Sequence, residues 1–140
     1  MAIMRPLRPL AQLDARRAAY RRRYAEYMSS PAWWRRRERW YHDEVAANGL
    51  APRCAVCDTE WTLTSGDLHH ATYDNLGREH HRDLIPMCRT CHERLHQILD
   101  HSKHWRKLPR ALATHQLITI QRRRNSVLPV TDPDGEQTHG

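Results

Sequence analysis

Tyr20, Tyr24, Tyr27 and Met28 recur at three- and four-residue spacing, with Arg16, Arg17, Arg21, Arg22 and Arg23 between them. The pattern predicts a helix over residues 14–28, capped by Asp14, with the tyrosine stripe buried. Tyrosines among arginines also suit base stacking, but helical spacing favours core. Pro6 and Pro9 predict an irregular start over residues 1–12. Ser30-Pro31 is a helix-start signal, a hydroxyl cap before a proline whose missing N–H costs nothing there. A second helix follows to Ala47, and Asn48-Gly49 ends it in a left-handed turn. Trp33, Trp34, Trp40, Tyr41 and Val45 form its expected apolar face. Beyond a weak strand signal at residues 61–63, short strands are expected at 68–72 and 84–87, joined by a polar, exposed loop over 73–83. Thr90 is placed to cap a helix in which Leu95, Ile98 and Leu99 face the core. After a polar break at 101–104, a last helix is expected over 111–124. The fold class is α+β.

Composition sharpens this picture. With 140 residues, 39% hydrophobic content and no Phe, the core is thin, and domains of this kind often rely on a metal or disulfides. Cys54 and Cys57 form one C-x2-C pair and Cys88 and Cys91 a second. That spacing reads as a structural zinc site with four thiolates and no open position. It also fits a reducing compartment, so a cytoplasmic protein is expected. No apolar run suits a signal peptide or a membrane span.

Charge is uneven within the net +7. Residues 1–53 carry twelve arginines against five acids, and residues 101–124 seven basic residues and no acid. Residues 54–100 hold eight acids against four arginines. Basic arms around an acidic, ligand-rich centre suit a protein that holds cations and grips a polyanion. Arg35, Arg36, Arg37 and Arg39, Arg78 and Arg82, and Arg122, Arg123 and Arg124 are the candidate nucleic-acid contacts. Solvated surface charge is the plain alternative.

The ligand-rich centre begins with adjacent His69 and His70, continues through Asp83, and ends with His92 and His96, which share one helix face by their i, i+4 spacing. Together with Thr72-Tyr73, Leu76-Gly77, Glu79, Asp83-Leu84 and Cys88-x2-Cys91-His92, these residues resemble the HNH endonucleases over residues 28–99. The resemblance implies a ββα-metal core at 54–100, stapled by the four-cysteine zinc site. A basic helical extension (1–53) would pack on that core, and a basic helix (101–124) and a disordered tail (125–140) would follow it.

It further implies that His69, His92 and His96 hold one catalytic divalent ion and that His70 is the general base for hydrolysis of DNA phosphodiesters, one strand per event. Asp83, where the family often has Asn, would hold the loop or His70. Three imidazoles suit Mn²⁺, Co²⁺, Ni²⁺ or Zn²⁺ at least as well as Mg²⁺. Strand neighbours face opposite ways, so the adjacent histidines need a twist or bulge to serve one centre. Duplex DNA is the expected partner, in a bacterial or phage-infected cell, alongside phage packaging or other DNA-processing proteins. RNA stays open as a substrate. The competing class is a non-catalytic, zinc-stabilised nucleic-acid-binding module.

Overall fold

The computed structural model describes residues 9–127, and it is α+β. Helices α1 (Leu10–Met28) and α2 (Pro31–Asn48) lead into strand β1 (Gly66–His70). Strand β2 (Leu84–Cys88), α3 (Arg89–His101), the short α4 (Lys103–Arg106) and α5 (Arg110–Val127) follow. The two strands pair antiparallel in unbroken register, from Gly66 opposite Cys88 to His70 opposite Leu84.

Local signals account for most boundaries. The Ser30 hydroxyl accepts from the Trp33 amide, Pro31 opens α2, and Gly49 closes it at φ 69°. Cys88, rather than Thr90, caps α3, its Sγ accepting from the Cys91 amide. Helix α1 starts earlier than Asp14 and has no side-chain cap. Residues 61–63 form no strand; the pairing nearest them is a single bridge between Arg53 and Glu60. Residues 125–127 continue α5 instead of opening a disordered tail, and the rest of that tail and residues 1–8 lie outside the described residues.

The sheet separates two small cores. On one side Leu68 and Leu84 meet Trp33, Trp40 and Trp61, beneath α2. On the other Met87 joins Leu95 and Leu99 of α3, Leu117 and Ile118 of α5, and the cysteine loop. Trp34 departs from its expected place, at 47% exposure, and one face of its ring lies 5.1 Å from the Arg37 guanidinium.

Arg36 and Arg37 are the larger departure. Both are buried, against the expectation that they contact nucleic acid. Arg36 donates through Nε and Nη2 to the Glu79 carbonyl, and Arg37 through Nη2 to the carbonyls of Leu63 and Gly66. Carbonyls shielded from water need donors, and these two guanidinium groups supply them to the loops and to the start of β1. Arg35 and Arg39, on the same helix, remain exposed.

Gly66 starts β1 against the buried Trp61 indole, whose Nε1 donates to the Asp67 carbonyl at 2.7 Å. A Cβ at residue 66 would lie 2.2 Å from that Nε1. Gly66→Ala should therefore lower the unfolding free energy by about 1–3 kcal/mol, the usual cost of overpacking. Chemical denaturation measures it, and an unchanged midpoint contradicts the packing described.

Candidate metal centres and the buried histidine

The four cysteines come together from two segments. Cys54 and Cys57 lie on a tight loop closed by the Cys54 amide to the Thr59 carbonyl, with Asp58 at φ 63°. The Ala55 amide donates to the Pro86 carbonyl and docks this loop on β2. Cys88 and Cys91 occupy the start of α3. All four Sγ atoms lie within 4.8 Å of one another, a cluster compatible with zinc or another metal.

The thiols affect one another's ionisation. Burial opposes ionisation of Cys57, but hydrogen bonds from Thr59, Cys54 and Cys88 outweigh it and bring the pKa down to about 7. Burial, a bond with Cys88 and the charges of Cys54 and Cys57 push Cys91 up instead. Four thiolates this close need a cation to offset their repulsion.

The second cluster is built by β1, α3 and α5. His69 is fully buried on the α3 side of the sheet, and His92 and His96 turn to it from adjacent turns of α3. One ligand atom from each lies within 4.8 Å of the others. The His92 Nδ1 faces an Asp67 carboxylate oxygen at 3.1 Å. A carboxylate only accepts, so Nδ1 carries a proton, and the His92 Nε2 lies 3.0 Å from the His96 Nε2. His69 Nε2 meets the Thr114 hydroxyl at 3.0 Å, while its buried Nδ1 has no partner among the described residues.

Electrostatics favour neutral rings at His69 and His96. Burial, then the charge of Arg110, then His92 and His96 hold His69 well below the ordinary histidine range. Burial, His92 and Arg110 lower His96 as well, against the opposing Asp100 and Asp67. The neutral imidazoles of His69 and His96 are ready metal ligands, and His92 stands beside them with Nδ1 backed by the Asp67 carboxylate.

His70 takes the other face. The regular register of β1 contains no bulge, so His70 points away from the trio and lies 3% exposed beneath Trp33, Tyr24 and Tyr73. Its Nε2 donates to Glu79 Oε2 at 2.8 Å, and Glu79 Oε1 accepts from the Tyr27 hydroxyl at 2.8 Å. Burial opposes the Glu79 charge, but bonds from His70, its own backbone amide and Tyr27 lower its pKa and keep it ionised. With Nε2 committed to Glu79, Nδ1 is the basic nitrogen of a neutral His70 ring.

Asp83 holds the loop rather than His70. Its Oδ2 accepts from the His80 amide at 2.9 Å and the Asn75 side chain at 3.1 Å. Its carbonyl accepts from the Ala71 amide, closing the loop's two ends. Arg78 and Arg82 are exposed on that loop, and Arg122, Arg123 and Arg124 are exposed about 18 Å along α5 from Arg110.

Sequence reasoning left four residues of the site without these roles: Glu79, Asp67, Thr114 and Arg110. Glu79 stood within the HNH resemblance but without its partner. Asp67 adjoins Leu68 and carried a signal, since a carboxylate two residues before His69 shares its strand face. Thr114 and Arg110 lie 45 and 40 residues from their partners, with no local pattern to announce them.

Folding holds His69 and His96 below the ordinary value of about 6.5, so on acidification the unfolded chain takes up more protons than the folded one. Stability should be full above about pH 6.5 and be lost as pH falls toward the lowered folded values. Denaturant midpoints at about pH 7.5 and about pH 5.5 read this, and His69→Gln should flatten the difference. Equal midpoints would contradict neutral His69 and His96. Compared with protein-family models, with curated proteins and with solved structures, the chain matches none.

Proposed function

We propose that this chain is a metal-dependent DNA endonuclease of the HNH, ββα-metal type, stapled by a structural zinc on Cys54, Cys57, Cys88 and Cys91. One observation carries the reading. A hairpin and the helix after it aim three imidazoles at one point, and one of the three keeps a buried nitrogen with no partner. Three protein ligands leave coordination positions open, as catalytic sites require and a four-thiolate site does not. A divalent ion held there by His69, His92 and His96 would neutralise the phosphate and stabilise the departing oxygen.

The chain's own groups supply the rest. His70 Nδ1 accepts the proton of the attacking water, and Glu79 fixes the tautomer and offsets the imidazolium charge. Tyr27 holds Glu79 from the side chain and Arg36 from the backbone carbonyl. In the described conformation His70 faces away from the trio beneath Tyr73 and Tyr24, so the aromatic cover and the end of β1 must both shift for its Nδ1 to serve a water at the metal. Asp67 and Thr114 orient His92 and His69. The exposed Arg35, Arg39, Arg78, Arg82, Arg122, Arg123 and Arg124 grip duplex phosphates. Products are a 5′-phosphate and a 3′-hydroxyl, one strand per event, and the setting is a bacterial or phage-infected cytoplasm. Partners in DNA processing, phage packaging among them, fit the same chemistry.

The burial of His70 favours a second reading, a non-catalytic, zinc-stabilised nucleic-acid-binding module. A supercoiled plasmid separates the two. The nuclease converts it to open circles before linear molecules, with Mn²⁺, Co²⁺ or Ni²⁺ at least as effective as Mg²⁺. His70→Ala slows nicking at least about 100-fold, the low end of general-base effects, while plasmid binding persists. No metal-dependent nicking by the wild type supports the module instead, and undiminished nicking by His70→Ala removes the base assignment.

Binding should weaken with salt by roughly 0.9 log unit per phosphate contact for each tenfold increase. Arg35→Gln with Arg39→Gln flattens that slope without lowering the thermal transition, because both side chains are exposed. An unchanged slope puts the DNA surface elsewhere. Chelation of the zinc, or Cys88→Ser, should abolish the cooperative thermal transition, since structural zinc contributes about 10–16 kcal/mol in comparable small domains. A chelated chain that keeps its transition by circular dichroism contradicts the staple.

A further inference from the structure

Arg110 opens α5, and two of its contacts anchor it at the end of β1. Nε donates to the His70 carbonyl at 2.9 Å, and the guanidinium carbon sits 4.2 Å from the centre of the Tyr73 ring. Thr114, one turn later on the same face, bonds His69 at 3.0 Å. The two side chains therefore leave α5 about one helical turn apart, roughly 6 Å of rise, one reaching the His70 carbonyl and the other His69.

Its charge is unmatched. Among the described residues no carboxylate lies within ion-pair distance of Arg110. Asp67, the acid nearest the trio by its bond to His92, is held there and by Arg89. Nη2 is buried and has no hydrogen-bond partner among the described residues. A buried cationic donor without a partner is costly, and an anion at that position would satisfy it. Arginine's fork suits two oxygens of one phosphate.

We propose that Arg110 binds the phosphate group brought to the histidine trio, donating from Nη2 to a non-bridging oxygen while that phosphate occupies the open side of the metal site. The assignment rests on the metal-site reading above and adds its substrate contact. Arg110 then links three parts, since it holds the carbonyl of His70, packs on the Tyr73 ring that covers His70, and receives the anion. Phosphate arriving at Nη2 acts on the same side chain that supports this cover.

The test uses the full, zinc-replete chain with Co²⁺ added to the histidine site and inorganic phosphate as the probe. Phosphate entering the open coordination position changes the visible Co²⁺ spectrum. Arg110→Gln should require at least roughly tenfold more phosphate for half-saturation, the scale of one charge-assisted hydrogen bond. Arg110→Lys should fall between Arg110→Gln and wild type. Co²⁺ affinity should be equal in all three.

A second readout needs no folded variant. In the diamagnetic Zn²⁺-loaded wild type, the Arg110 side-chain N–H resonances should shift with phosphate at its half-saturation point. Equal phosphate binding by wild type and Arg110→Gln, or Arg110 resonances that stay in place, overturns the proposal. Failure of the wild type to bind Co²⁺ at the trio is a different result and overturns the metal-site reading beneath it.

Discussion

A strand turns successive side chains to opposite faces, and in β1 this sends Asp67 and His69 to one core and Leu68 and His70 to the other. The two adjacent histidines consequently have unlike surroundings. His69 meets imidazoles, a threonine hydroxyl and an arginine charge, and is held neutral with one nitrogen free. His70 meets a carboxylate and three aromatic rings, and is locked in one tautomer. A one-residue slip of β1 against β2 would exchange the two environments, so the register is as much a part of the site as the histidines are.

What holds that register is distributed over the chain. Ala55 of the cysteine loop bonds β2 at Pro86, and Cys88 ends β2 and caps α3 in a single residue. A cation on the four sulfurs would therefore brace the strand that pairs with β1 and the helix that bears His92 and His96. From the other side, Arg37 of α2 satisfies the carbonyl of Leu63 and that of Gly66, where β1 begins. Arg36 and Tyr27 seize Glu79 by backbone and side chain. The basic N-terminal helices thus build the His70 pocket.

The features legible in the sequence were those with local causes. Ser30-Pro31 and Asn48-Gly49 mark α2 because caps act within one turn. The C-x2-C pairs and the His92–His96 spacing declare their clusters because ligands on one turn must share a face. Arg36 and Arg37 looked like an exposed basic run because their carbonyl partners lie 43 and 26 to 29 residues away. Arg110 looked like one charge among seven in its segment, and only the fold brings it to the end of β1. Trp34 shares a run with Trp33, yet α2 turns it outward by one helical step, and its ring meets Arg37 instead of the core.

The division of labour between His69 and His70 can be read directly by calorimetric titration of a divalent ion into the zinc-replete chain, using Ni²⁺ because imidazole sites favour it. Wild type and His70→Ala should each bind one equivalent with closely similar affinity, and His69→Ala should lose that binding or weaken it at least about 100-fold, the upper range for disturbing a metal site's supporting residues. Retention of the ion by His69→Ala with loss in His70→Ala would contradict the register of β1 and the site built on it.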